Sequence, residues 1–297
     1  PMLFIKSNNR LGITAFFFLT FISSSFIHQT AGTYFEQGLK DLKSKDYVKA
    51  IGDFTNALSL KNNFAEAYLQ RGIAKIRLGE QMGFVNSEAC TDFIMATKLG
   101  NKEAYEYLEK NCVNECYDIK SAFVDPEMVY CADFSNKALT DLPADIQELS
   151  NLVKLNLTSN KLAKPVDKIS KANSLIYLDM SNNSITEIDP AIKRLTILKE
   201  LNLNKNKLKT LPEELGELEN LKSLYLRSNG LTELPRSIAR LKSLENLDLS
   251  LNKLTTVPIE IANLKNLKTL ILVGNDIPSN KRDIIQKLLP NTKIDFE

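Results

Sequence analysis

No tryptophan and a single histidine, His28, occur in these 297 residues. The histidine lies within or beside an apolar N-terminal stretch, so the rest of the chain holds none. That absence removes Ser–His and Cys–His nucleophile pairs, imidazole acid–base catalysis and most zinc or iron sites. The 11 glycines form no phosphate-cradling loop, and no GxSxG nucleophile turn occurs. Excess charge is missing as well. Lys6 and Arg10 account for the net +2, leaving 36 basic against 36 acidic side chains. A balanced surface offers no electrostatic footprint for nucleic acid or for a strongly anionic membrane. Carboxylates are numerous, but they fall on repeat surfaces and helix faces with no pocket to raise a pKa. The reading is therefore of a non-enzyme without catalytic residues, cofactor or metal.

What is present begins with addressing information. Lys6 and Arg10 form a basic region ahead of the apolar run from Leu11 to Ile27, and small residues follow at Ala31 and Gly32. The run is at the short end for a spanning helix, which needs roughly 17–25 residues. Residues 1–32 are thus expected to be a signal peptide cleaved near Ala31 or Gly32, with an uncleaved anchor as the alternative. Either would make the protein exported: periplasmic, attached to the cell envelope or secreted.

An even set of four cysteines fits that compartment. Cys90 falls on a helix expected to pack against the one ending at Cys112, and Cys116 and Cys131 bracket the passage into a second domain. The expected pairs are Cys90–Cys112 and Cys116–Cys131. A zinc site is the alternative, but the CxxxC at Cys112–Cys116 has no matching second pair and no histidine nearby.

From Ala31 to about Cys112 the pattern is helical. Counted from Ala31, Gly38, Ala50, Phe54 and Ala57 occupy the small or aromatic slots where two paired helices touch. Counted again from Ala65, Tyr68 and Gly72 fall in register, and Ala89, Phe93 and Ala96 follow once five residues around 81–85 are allowed as an insertion. This segment, residues 33–112, resembles the tetratricopeptide-repeat family as two repeats with a capping helix from Lys102 to Cys112. The resemblance implies a shallow groove lined by Phe35, Leu39, Leu42, Leu69, Ile73 and Ile76. All six are apolar, which predicts a hydrophobic partner or a structural role against neighbouring elements.

The strongest pattern starts at Leu152. Leu152, Leu175, Leu198, Leu221, Leu244 and Leu267 are spaced by 23 residues, and each opens an LxxLxLxxN unit ending at Asn160, Asn183, Asn206, Asn229, Asn252 or Asn275. Met180 replaces one leucine. Pro212, Pro235 and Pro258 follow leucine or valine in three of the repeats, while Pro165 and Ala172 depart from the pattern in the first. This is similar to the leucine-rich-repeat family in its 23-residue form. The fold class expected is a short helical array followed by an α/β solenoid with a parallel concave sheet. Residues 113–128 read as a disulfide-tied connector and 129–297 as the solenoid. Its N-terminal cap carries Phe134, Leu142 and Ile146; a helix at Ile284–Leu289 and a strand at Lys293–Phe296 close the other end.

Residues alternating with the core leucines face outward on the concave sheet. The candidate protein-binding set is Tyr177, Glu200, Asn202, Tyr225, Arg227, Asp248, Leu251, Ile271 and Val273. The aromatic and the arginine beside β-branched neighbours have the composition of an interface hot spot, so Tyr225 and Arg227 lead. The function expected is an interaction scaffold for an envelope or extracellular protein. Alternatives are a glycan or host-surface recognition protein and a membrane-anchored subunit of a larger envelope complex. A sugar reader would want aromatic platforms, and the face offers only Tyr177 and Tyr225.

Overall fold

The computed structural model describes residues 29–83 and 88–297. The N-terminal run through His28 lies outside the described residues. Among those described, no helix is long and apolar enough to cross a membrane.

Five helices come first. α1 (Ala31–Lys43) opens on a Thr30–Thr33 capping box, and Asp46 caps α2 (Tyr47–Leu60). α3 (Ala65–Met82) stops at Gly83, whose φ of 76° suits a residue without a side chain. α4 (Glu88–Lys98) and α5 (Lys102–Asn111) follow, the latter capped by Asn101. Each helix packs on the next. The closest approaches repeat: a Cβ on Gly38 would stand 2.7 Å from the Phe54 ring, and one on Gly72 would stand 2.5 Å from the Phe93 ring. Both glycines are kept because a ring occupies the place of their side chain. Asp92 is buried between α3 and α4, where Arg71 at 2.6 Å and Lys75 at 3.0 Å neutralise it. The Cys90–Cys112 disulfide fastens α4 to the end of α5.

The second unit is a solenoid whose nine parallel strands pair in chain order. They are β1 (Tyr117–Asp118), β2 (Cys131–Asp133), β3 (Lys154–Asn156), β4 (Tyr177–Asp179), β5 (Glu200–Asn202), β6 (Ser223–Tyr225), β7 (Asn246–Asp248), β8 (Thr269–Ile271) and β9 (Lys293–Asp295). The 23-residue spacing becomes register, with Leu155, Leu178, Leu201, Leu224, Leu247 and Leu270 paired side by side. The sheet begins at Tyr117, inside the stretch read as a connector, and Cys116–Cys131 bonds its first two strands together. The convex side is built from short turns: one α-helical turn, α6 (Val166–Ile169), then 3-10 turns at 190–194, 213–217, 236–240 and 259–263. α7 (Ser279–Leu288) and β9 close the stack. Ile285 and Leu289 are buried there, whereas Ile284 faces solvent.

One asparagine per repeat holds the turn beyond each strand. The Asn206 amide donates to the carbonyls of Met180 and Leu203, while its oxygen accepts from Ile185 N–H. Asn183, Asn229, Asn252 and Asn275 repeat this arrangement. Each amide satisfies backbone groups that have left the sheet. The preceding residue is left-handed every time, from Ser159 and Asn182 to Lys205, Ser228, Leu251 and Gly274.

Candidate protein-binding face

The concave face is divided. Along the edge where the strands begin, Val153 and Ile176 are fully buried and Ile197 nearly so. They share one apolar cluster with Leu69, Phe93, Ile94, Leu108 and Cys112 of the helical unit. α4 and α5 therefore lie against the first repeats of the solenoid. The repeat position of Val153 and Ile176 carries Lys199, Lys222, Glu245 and Lys268 in the later turns. The apolar strip ends where the helices end.

This docking takes Tyr177 out of the candidate surface. Its ring packs against Tyr105 of α5, and its hydroxyl accepts from Tyr105 and donates to Glu109 at 2.9 Å. Burial and then the hydrogen bond with Tyr105 push the Tyr177 phenol above its usual range. Burial, helped by the Glu109 and Glu200 charges and opposed by the Tyr177 hydrogen bond, raises that of Tyr105. Tyr177 is a docking residue, a correction to the reading that placed it among partner contacts. Glu200 stands beside the same junction in a cleft of about 430 Å³, shared with Glu109, Lys154 and Asp179. Burial and then the Asp179 charge raise its pKa. Asn202 is tied to Asp179 at 2.9 Å. Lys199 lies over the Tyr105 ring, and burial with repulsion from Lys222 lowers its pKa to about 8.

The other half of the sheet is open. Tyr225 and Asp248 are paired across β6 and β7, and Asp248 is paired with Ile271 across β7 and β8. Arg227 is exposed but positioned: its backbone N–H donates to Asn204 Oδ1 at 2.7 Å, and its guanidinium reaches Ser250 Oγ at 3.3 Å. Ser250 in turn donates to Asp248 Oδ1 at 2.6 Å. Val273 and Ile271 remain half-buried beside them. Leu251 is 43% exposed, with φ of 54°. Its side chain fills the space that a Cβ on Gly274 would need.

The six apolar groove residues divide between two clusters. Leu69 is fully buried, and Ile73 and Ile76 pack on the same cluster that meets the solenoid. Phe35, Leu39 and Leu42 pack with Phe54 in a separate small core, with Phe35 also against Phe64. What stays open is a hollow of about 750 Å³ in which only Leu42 and Ile73 of the six take part, among Lys43, Lys45, Arg77 and Glu80. A purely apolar groove is therefore not formed, because the second helix pair spends its apolar side on the solenoid.

Sequence reading missed Val153, Ile176, Ile197, Tyr105 and Lys199. For Val153 and Ile176 the signal was the repeat position just before each strand, apolar only in the early turns and lysine at Lys199. Ile197 lies two residues before that column and Tyr105 outside the repeats, where periodicity gives no signal.

Residues 163–288 match the family described as a leucine-rich repeat region, so this stretch of the solenoid is a leucine-rich-repeat domain. A leucine-rich-repeat protein of Leptospira interrogans is 39% identical, with a TM-score of 0.56, over 57% of this chain and 43% of that one. The leucine-rich-repeat ectodomain of an Arabidopsis thaliana membrane receptor kinase is 30% identical over 58% of this chain and 21% of that one, at a TM-score of 0.49. An internalin of Listeria monocytogenes is 23% identical over 52% of this chain and 44% of that one, at 0.47. The chain thus spans less than half the length of each of these structures. No curated protein matches it.

Proposed function

We propose that this chain is a non-enzymatic, exported interaction scaffold that binds a protein on the open half of its concave sheet. Repeat solenoids use their concave surfaces in this way, and the composition of the patch fits a contact centre: Tyr225 and Arg227 beside Leu251, Ile271 and Val273. Leu251 is the observation that carries the proposal. Equivalent positions hold serine, asparagine, lysine or glycine, and a leucine in left-handed backbone costs about 1 kcal/mol. Its side chain rests on Gly274 but stays 43% exposed and outside the core cluster, so the core does not account for it, and contact with a partner does.

The helical unit, read as two tetratricopeptide-like repeats and a cap, acts in this proposal as a rigid flank that confines partners to the later repeats. Two disulfides support an oxidising location, in the periplasm, at the envelope or outside the cell. Withdrawal of Tyr177 into the docking contact leaves Tyr225 as the one aromatic of the candidate set on the open half, which favours a protein partner over a glycan. The test is affinity capture from the native envelope with the wild type and with Tyr225→Ala combined with Arg227→Glu. A partner present with the wild type and lost with the folded double variant supports the proposal; identical capture sets count against it.

A further inference from the structure

Between the end of α4, the start of α5 and the early repeats lie two adjoining hollows of about 560 and 270 Å³ that share Lys98 and Thr196 in their walls. Their cations are Lys98, Lys102, Lys171, Arg194 and Lys199, and no carboxylate lines either hollow. In a chain whose charges balance overall, five cations in one recess is a local excess. None of the five forms a salt bridge among the described residues. Lys98 donates instead to the neutral oxygen of Asn173 at 2.8 Å, Lys171 to that of Gln147 at 2.5 Å, and Lys199 sits on the Tyr105 ring.

The arrangement works against itself unless something neutralises it. Lys171 and Arg194 hold the same position in successive turns of the solenoid, where the column otherwise runs Glu148, Glu217, Arg240 and Asn263. Like charges at that spacing repel. Burial lowers the pKa of Lys98, and burial and Lys222 lower that of Lys199, with Glu106 and Glu109 offsetting only part of the latter. The hydroxyl of Thr97, in the wall of the smaller hollow, is buried without a hydrogen-bond partner in the structure.

We infer that this recess binds a phosphate-bearing ligand, with Lys98 bridging two phosphate groups, Lys171 and Arg194 on one and Lys102 and Lys199 on the other. Ammonium and guanidinium groups beside hydroxyl and amide donors are the chemistry that holds phosphate through charge-assisted hydrogen bonds. The site is separate from the open half of the sheet and stands whether or not that half binds a protein.

The test is isothermal calorimetry of the purified chain with pyrophosphate and sedimentation with phosphatidylcholine vesicles containing phosphatidic acid, at about 0.15 M salt so that weak surface attraction is screened. The variants are Arg194→Gln, an exposed side chain without a salt bridge in the fold, Lys98→Gln, and Lys265→Gln as an exposed control on a distant repeat. The expected result is wild-type binding to one of the two probes, weakened at least tenfold by Arg194→Gln and Lys98→Gln and retained by Lys265→Gln. Pyrophosphate binding identifies a free phosphate ligand, and vesicle binding alone identifies a lipid headgroup. Binding of neither probe, or equal weakening by Lys265→Gln, overturns the assignment.

Discussion

The Tyr177 hydroxyl of the concave sheet donates to Glu109 of α5 at 2.9 Å while accepting from Tyr105 of the same helix. Two repeat units that each bury their own core are thereby joined on a polar pair, with Val153, Ile176 and Ile197 packed beneath. In the proposed function, this junction sets which part of the sheet a partner would reach.

Placing a charge under the junction separates the units. Ile176→Asp removes a fully buried side chain from the shared cluster and buries an unpaired carboxylate. The expected loss is about 3–5 kcal/mol of docking stability. Limited proteolysis around residues 112–116 reads it, as faster cleavage in the variant, while Tyr177→Phe has a smaller effect of about 1–2 kcal/mol.

Leu251→Asn exchanges a strained leucine for a residue that tolerates left-handed backbone. Thermal unfolding is expected to show no loss of stability or a gain of up to about 1 kcal/mol. Partner affinity is expected to fall at least tenfold. A gain in stability with unchanged affinity removes the functional reading of Leu251.

Two glycines in the helical unit respond oppositely to alanine. Gly72→Ala drives a methyl into the Phe93 ring and is expected to destabilise by about 1–3 kcal/mol. Gly52, inside α2, has open space around it, so Gly52→Ala is expected to stabilise by about 0.5–1 kcal/mol. Denaturant midpoints of the two variants check this.

Lys199 links the junction to pH. It titrates at about 8 in the folded chain, against a usual 10.5. Above pH 8 the folded state therefore holds fewer protons than the unfolded state, so this group makes stability rise with pH between about 8 and 10.5. Below pH 8 both states are protonated and the charged lysine opposes folding. The stability of the wild type relative to Lys199→Met is expected to improve from pH 7.5 to about 9.5, as measured by urea unfolding. A flat difference across that window contradicts the burial of Lys199.

The solenoid was legible because its determinants are local and periodic. Leucine spacing set the register, and one asparagine per turn set the bend. Gly38 with Phe54 and Gly72 with Phe93 were legible for the same reason, since close helix approach demands a missing side chain. The division of the concave face was not. Tyr177 reads as an exposed strand residue until the helices are placed over it, and that placement depends on Val153, Ile176 and Ile197, apolar residues at positions the repeat leaves free. The contrast of Val153 and Ile176 with Lys199, Lys222, Glu245 and Lys268, and of Ile197 with Asn220, Ser243 and Asn266, is visible only when the turns are aligned column by column. Sequence periodicity describes how each unit folds; it carries little about which surface one unit lends to another.

The central claim is that partners meet the later repeats of the concave sheet and not the helical unit. Photo-crosslinking tests it directly, with a benzophenone amino acid placed in separate variants at Tyr225 and at the exposed Val48 of α2. The account predicts a discrete crosslinked protein from position 225 and none from position 48. A product from position 48 with none from position 225 would contradict it and transfer the interaction to the helices.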